Sequence, residues 1–266
     1  MATLVPFWVL GIILIGSVNM HNNNTLAYAH SFSPNSLSTF VSRAIEADVE
    51  LSLANNNFPS NITLALDHSK NAAELINVVY HMDDDIIDDI DFIRKYNDAL
   101  NSRNTTIQAL VIANIIDQTL REYGEAFDIQ YDLTNMSNMN MMTTQTTSLD
   151  TPNSPFSSPS YPMNMPVNSN IEAEINNNYT NIVNVDNYQS AQKLSEKVFQ
   201  VFKNQLRPLA LSPNHASKSA MNVVEKSLFD LKYLIDNKAS AQDIMGLVHG
   251  KLHPSLQLAY DLKLKQ

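Results

Sequence analysis

The sequence predicts an all-α protein, built as antiparallel helical bundles of about seven helices in two lobes. Three observations carry this. Glycine is nearly absent: the 266 residues hold five, and only Gly124, Gly246 and Gly250 lie beyond residue 29. Hairpins and strand turns lean on glycine. Apolar residues recur at intervals of three and four through both halves, the helical period. Capping residues stand ahead of most of these runs.

The first lobe spans residues 30–132. Ser36 is the expected cap of its first helix, with Leu37, Val41, Ala44, Ile45 and Leu51 on one face. Phe58-Pro59-Ser60 breaks the chain, and Ser60 is the expected next cap. The second helix carries Ala65, Ala72, Leu75, Ile76 and Val79 on one stripe. The acidic run HMDDDIIDDID, His81 to Asp91, opens a third, with Ile86, Ile90, Ile93, Asn97 and Leu100 inward. A fourth follows Asn104, with Ala109, Ala113, Ile116, Leu120, Tyr123 and Phe127 inward. Short connections between four such helices predict antiparallel packing.

Residues 133–184 differ in kind. Asn, Ser, Thr, Met and Pro dominate, no periodicity persists, and the segment reads as a disordered linker. The second lobe, 185–266, packs on the first. Its opening helix buries Ala191, Leu194, Val198, Val201, Phe202 and Leu206. Ser212-Pro213 starts the next, with Ala216, Ala220, Val224, Leu228, Leu231 and Ile235 inward. Ser240-x-x-Asp243 is a variant capping box. The last helix carries Ile244, Val248, Leu252, Leu256 and Ala259, and Pro254 forces a kink or restart. LALDHSKNAAELI and LSPNHASKSAMNVV align loosely, a weak internal repeat.

Residues 1–29 read as a secretory signal. Leu4 to Met20 is apolar, no charged side chain precedes Arg43, and Ala27-Tyr28-Ala29 suits cleavage before His30. An uncleaved anchor is the alternative. The chain has no cysteine, so burial alone must hold it. Asn-x-Ser/Thr sequons stand at Asn23, Asn61, Asn104, Asn135 and Asn178; Asn23 leaves with the signal, and the others are expected surface positions able to carry glycans. The net charge of −10, with no Lys or Arg from Glu122 to Gln192, disfavours nucleic acid and anionic lipid.

Candidate chemistry is sparse. Asp84-Asp85-x-x-Asp88 resembles the magnesium-binding motif of prenyl-diphosphate synthases, which implies a divalent-cation-dependent enzyme acting on a diphosphate. No facing second acidic motif exists. Aspartates at a helix start also cap N–H groups and suit the positive dipole end, and that reading needs less. His68 lies on the apolar stripe of the second helix. It is expected either to bond Asn114 or Asp117 of the fourth helix or to ligate a metal inside the bundle. His249 and His253, four apart, share a helix face and can share a metal ion, with Met245 a turn earlier. His215 is a weaker candidate near a helix start. A mature N-terminal His30 would chelate copper through its amine and ring. Met136, Met139, Met141 and Met142 in NMSNMNMM are soft ligands suited to Cu(I). HExxH, GxSxG, P-loop and GxGxxG patterns are all missing.

The signal ending AYAH, the stretch QALVIANIIDQTLREYGEAF and the C-terminal VHGKLHPSLQLAYDLK resemble uncharacterised secreted helical proteins of ammonia-oxidising archaea. The resemblance implies an exported location and copper-rich biology, and supplies no catalytic residue. The leading expectation is therefore a secreted, non-catalytic helical-bundle protein that binds a metal ion, copper first. The alternative is a cell-surface interaction or structural protein without metal.

Overall fold

Asparagine side chains start three of the helices of the computed structural model. Asn35 Oδ1 accepts the N–H of Ser38 at 3.0 Å and opens α1, Ser36–Asn57. Asn61 Oδ1 accepts the N–H of Leu64 at 3.1 Å and opens α2, Ile62–His81. Asn104 Oδ1 accepts from Thr106 and Ile107 and opens α3, Thr105–Ala126. Each bond satisfies donors that no intrahelical carbonyl reaches. The caps expected at Ser36 and Ser60 thus sit one residue away, on the neighbouring asparagines.

The remaining helices are α4 (Val185–Val201), α5 (His215–Asp236), α6 (Ala241–Leu247) and α7 (His253–Tyr260). The structure describes residues 35–82, 94–98, 104–135, 181–209 and 215–262, and among them there is no strand. The protein is an all-α helical bundle. Residues 94–98 are helical. The expected signal 1–29, His30, the acidic run with Asp84, Asp85 and Asp88, the Ser212-Pro213 start, and Met136, Met139, Met141 and Met142 lie outside the described residues.

One apolar core runs through both halves of the chain. It joins Phe40 and Ile45 of α1, Ile112 and Leu120 of α3, Leu194 and Val198 of α4, Leu228 of α5, and Leu252 and Leu256 near the C-terminus. Helix α1 lies between α2 on one side and α3 and α4 on the other. Helix α5 packs on α4 and α7. The edges of the segment read as a linker belong to this core. Leu133 is buried, and the N–H groups of Val183 and Asn184 both reach the carbonyl of Ala126.

Two π-helical turns, Phe202–Leu206 and Val248–Leu252, each end just before an X–Pro pair, Arg207-Pro208 and His253-Pro254. Proline cannot donate to the carbonyl four residues back, and its ring crowds that carbonyl. Widening the bonds by one residue removes the conflict. Arg207 N–H then reaches the Phe202 carbonyl, and His253 N–H reaches that of Val248. Pro254 accordingly stands in the first turn of α7.

Three helices stop without glycine. Asp128, Lys238 and Asp261 hold φ of 52°, 54° and 51° at the ends of α3, α5 and α7. After α5, Ala239 N–H reaches the Leu234 carbonyl (2.9 Å) and Lys238 N–H reaches that of Ile235 (3.1 Å), the paired bonds of a Schellman motif. A side chain in the left-handed region costs energy that glycine does not. Lys238→Gly should therefore stabilise the fold by about 0.5–1 kcal/mol, after the extra freedom glycine gives the unfolded chain. Urea unfolding should show a higher midpoint at unchanged slope. A lower midpoint would mean that the Lys238 side chain, whose Nζ lies 5.9 Å from the Tyr188 ring centre, matters more than backbone strain.

Candidate functional site

Helix α1 is buried around most of its circumference, and this drags polar side chains inside. Ser42, Arg43, Glu46 and Glu50 are all buried with Val41, Ile45 and Val49. A buried polar group must find partners or cost several kcal/mol. These residues find them across three helices.

Glu50 is the hub. Its Oε1 accepts from Ser190 Oγ of α4 at 2.5 Å, and its Oε2 faces His68 Nδ1 of α2 at 2.8 Å. The other ring nitrogen, Nε2, lies 3.1 Å from Gln189 Oε1 of α4. Gln189 Oε1 also accepts from Asn57 Nδ2 at 2.7 Å, which fixes the amide with its oxygen toward the ring. His68 is fully buried and has an acceptor at each nitrogen, so both nitrogens must carry protons. Burial alone would lower its pKa. The hydrogen bond and charge of Glu50 overcome this, helped by Gln189 and Asp186, and hold it above the usual imidazole value. His68 thus pairs with neither Asn114 nor Asp117, the partners expected from the sequence. Helix α2 packs on α1 and also meets α4.

A second polar cluster lies between α1 and α3. Arg43 donates to Glu46 at 2.5 Å, and Asn114 Nδ2 donates to Ser42 Oγ at 3.4 Å. Burial raises the Glu46 pKa against the pull of Arg43. A cavity of about 10 Å³ lies among Ser42, Arg43, Glu46, Asn114, Asp117 and Arg121, room for about one water molecule. Burial pushes Asp117 up to about 7, with Arg121 opposing and Asp132 adding.

Asp117 also faces the C-terminal histidines. His253 Nε2 stands 3.5 Å from Asp117 Oδ1, and the rings of His249 and His253 meet edge-on with centres 5.4 Å apart. His249 Nε2 donates to the Leu133 carbonyl at 2.8 Å. Burial lowers the His249 pKa, partly offset by that carbonyl and by Asp132. Met245, one turn earlier, is buried in the apolar core.

The expected candidates are therefore divided. His249 and His253 come together, with Asp117 as a neighbour no spacing rule suggested. His68 belongs to the Glu50 network instead. His215 opens α5, and its side chain lies outside the described residues. Among the described residues, no group of three or more His, Cys, Asp or Glu is placed to hold a metal ion. Sequence reasoning missed Glu50, Gln189 and Ser190. Their one visible signal was Glu46 and Glu50, four apart, within a helix that carries apolar residues on nearly every side.

Comparison with protein-family models, curated proteins and solved structures finds no match to this chain.

The raised His68 pKa ties stability to pH. Its contribution is complete below the unfolded value of 6.5 and is lost as pH climbs through the higher folded value. His68→Gln should cost on the order of 1–3 kcal/mol at pH 6 by breaking buried hydrogen bonds. It should also flatten the decline in stability between pH 6.5 and 9. Denaturant unfolding across that range checks both, and a variant that keeps the wild-type slope would refute the doubly protonated ring.

Proposed function

We propose that the chain is an exported, non-catalytic helical protein that works by surface contact with a protein partner. The supporting observation is an exposed aromatic pair. Phe229 and Tyr233 stand one turn apart on α5, 58% and 61% exposed. Phe199 of α4 sits against Phe229 with ring centres 6.2 Å apart, and Lys203 lies over Phe199. Large aromatics with a cationic neighbour are the anchors that protein interfaces favour. Ion pairs Lys226–Asp230 and Lys232–Asp236 flank the pair, a mixed polar rim of the kind interfaces carry. Export is supported by the apolar start and the Ala-x-Ala end of the first 29 residues.

A photo-crosslinking residue at position 229, compared with one at the exposed Lys251, tests this in the native host. Crosslinking at 229 should give a discrete adduct that position 251 does not. A mass of two chains would identify the partner as a second copy. Equal labelling at both positions, or none at either, would contradict a binding face on α5.

A second reading, a copper ion at His249 and His253, has the support of their shared face. Two imidazoles four residues apart can share a Cu(II) or Zn(II) ion. Here added metal should raise the melting temperature by several degrees, in line with preferential binding to the folded state. His253→Gln should abolish the rise. An unchanged melting temperature with either ion would end this reading.

A further inference from the structure

We propose that Asn61 is an N-glycosylation site whose glycan covers an apolar face formed by Phe58, Ile62 and Leu66. The inference rests on the export reading above and adds to it a modified atom and a reason for the modification.

Asn61-Ile62-Thr63 is a sequon, and Asn61 is exposed. The helix cap uses its side-chain oxygen, which accepts from Leu64 N–H. That contact fixes the amide plane with Oδ1 toward the helix, so Nδ2, the atom a glycan takes, points the other way. A sugar on Nδ2 leaves the cap intact.

The surroundings supply the second observation. Phe58 is 66% exposed, Ile62 61% and Leu66 64%, all beside this one asparagine. Ile62 and Leu66 follow one another on the same side of α2, and Phe58 ends α1 four residues before Ile62. Single exposed apolar residues need no explanation, but a contiguous group does. Pyranose rings present apolar C–H faces that lie well against an aromatic ring. A glycan on Nδ2 starts beside Ile62 and three residues from Phe58 in the chain, and would put its hydroxyl groups where bare hydrocarbon now meets water.

The donor is a polyprenyl-phosphate-linked oligosaccharide. Asn61 Nδ2 attacks the anomeric carbon, and the N–C1 bond forms. The bond from C1 to the phosphate oxygen breaks, and the lipid phosphate leaves with its electron pair. One amide proton passes to a base of the transferring enzyme. Thr63, which that enzyme must grip, lies in the first turn of α2, so transfer precedes the docking of α2.

The full chain, purified from its native host, tests this as wild type, Thr63→Ala and Thr63→Ser. Thr63 is exposed, and both substitutions leave the Asn61 cap in place. Tryptic cleavage gives the peptide spanning residues 44–70, in which Asn61 is the only sequon. Its mass reports occupancy, and the N-terminal sequence reports export. The expected result is a chain beginning at His30, with sugar on wild type and Thr63→Ser. Thr63→Ala should lose the sugar mass and bind more of an apolar dye. A processed chain with bare Asn61, or sugar retained in Thr63→Ala, overturns the glycan and leaves export standing. A chain kept in the cytosol with Met1 intact overturns both.

Discussion

Helix α1 has almost no solvent side, and a helix of that kind cannot be amphipathic. It lies between α2 and the α3/α4 pair, so residues on every face meet protein. Its polar side chains must therefore be answered by other polar groups, most of them on neighbouring helices. Glu50 is answered by Ser190 and His68, Glu46 by Arg43, and Ser42 by Asn114. The His68 imidazole links α2 to α4 through Gln189. Removing one partner of a buried pair of this type costs roughly 3–5 kcal/mol, because the other is left charged in a dry place. The same geometry gives direction to the fold, since only one rotation of α2 brings His68 to both Glu50 and Gln189.

Much of the helical core was legible because it is periodic. Ala109, Ala113, Ile116, Leu120 and Tyr123 line the inner face of α3, and Ala191, Leu194, Val198 and Val201 line that of α4, continued by Phe202 of the π turn. The starts of α1, α2 and α3 were read to within one residue, since serine and asparagine stand side by side at the first two and either can cap. Helix stops were harder. Asp128, Lys238 and Asp261 take the left-handed conformation that usually signals itself through glycine. In a glycine-poor chain that signal is missing. The π turns announce themselves only indirectly, through the prolines that follow them.

The candidate site was legible in its residues and not in its partners. Periodicity placed His68 on an inward face but cannot say which helix lies opposite. The expected helix was α3, whereas α2 in fact packs on α1 and touches α4. The residue that decides the site, Glu50, reads in isolation as an ordinary exposed glutamate. The four-residue spacing of His249 and His253 did predict their adjacency, because an i, i+4 relation is a local property. Asp117 beside them comes from tertiary packing and leaves no trace in spacing.

The surface carries the functional reading, while the polar interior supplies positioning. The aromatic pair on α5 and the capped asparagine of α2 both stand on helices held by the core and the Glu50 network. The network itself is most directly reported by the ring nitrogens of His68. Nitrogen-15 NMR through a pH titration should show both as N–H, with the imidazolium pattern persisting above pH 6.5, the usual imidazole value. A neutral ring at pH 6 would contradict a buried charge at this position and with it the link between α2, α1 and α4.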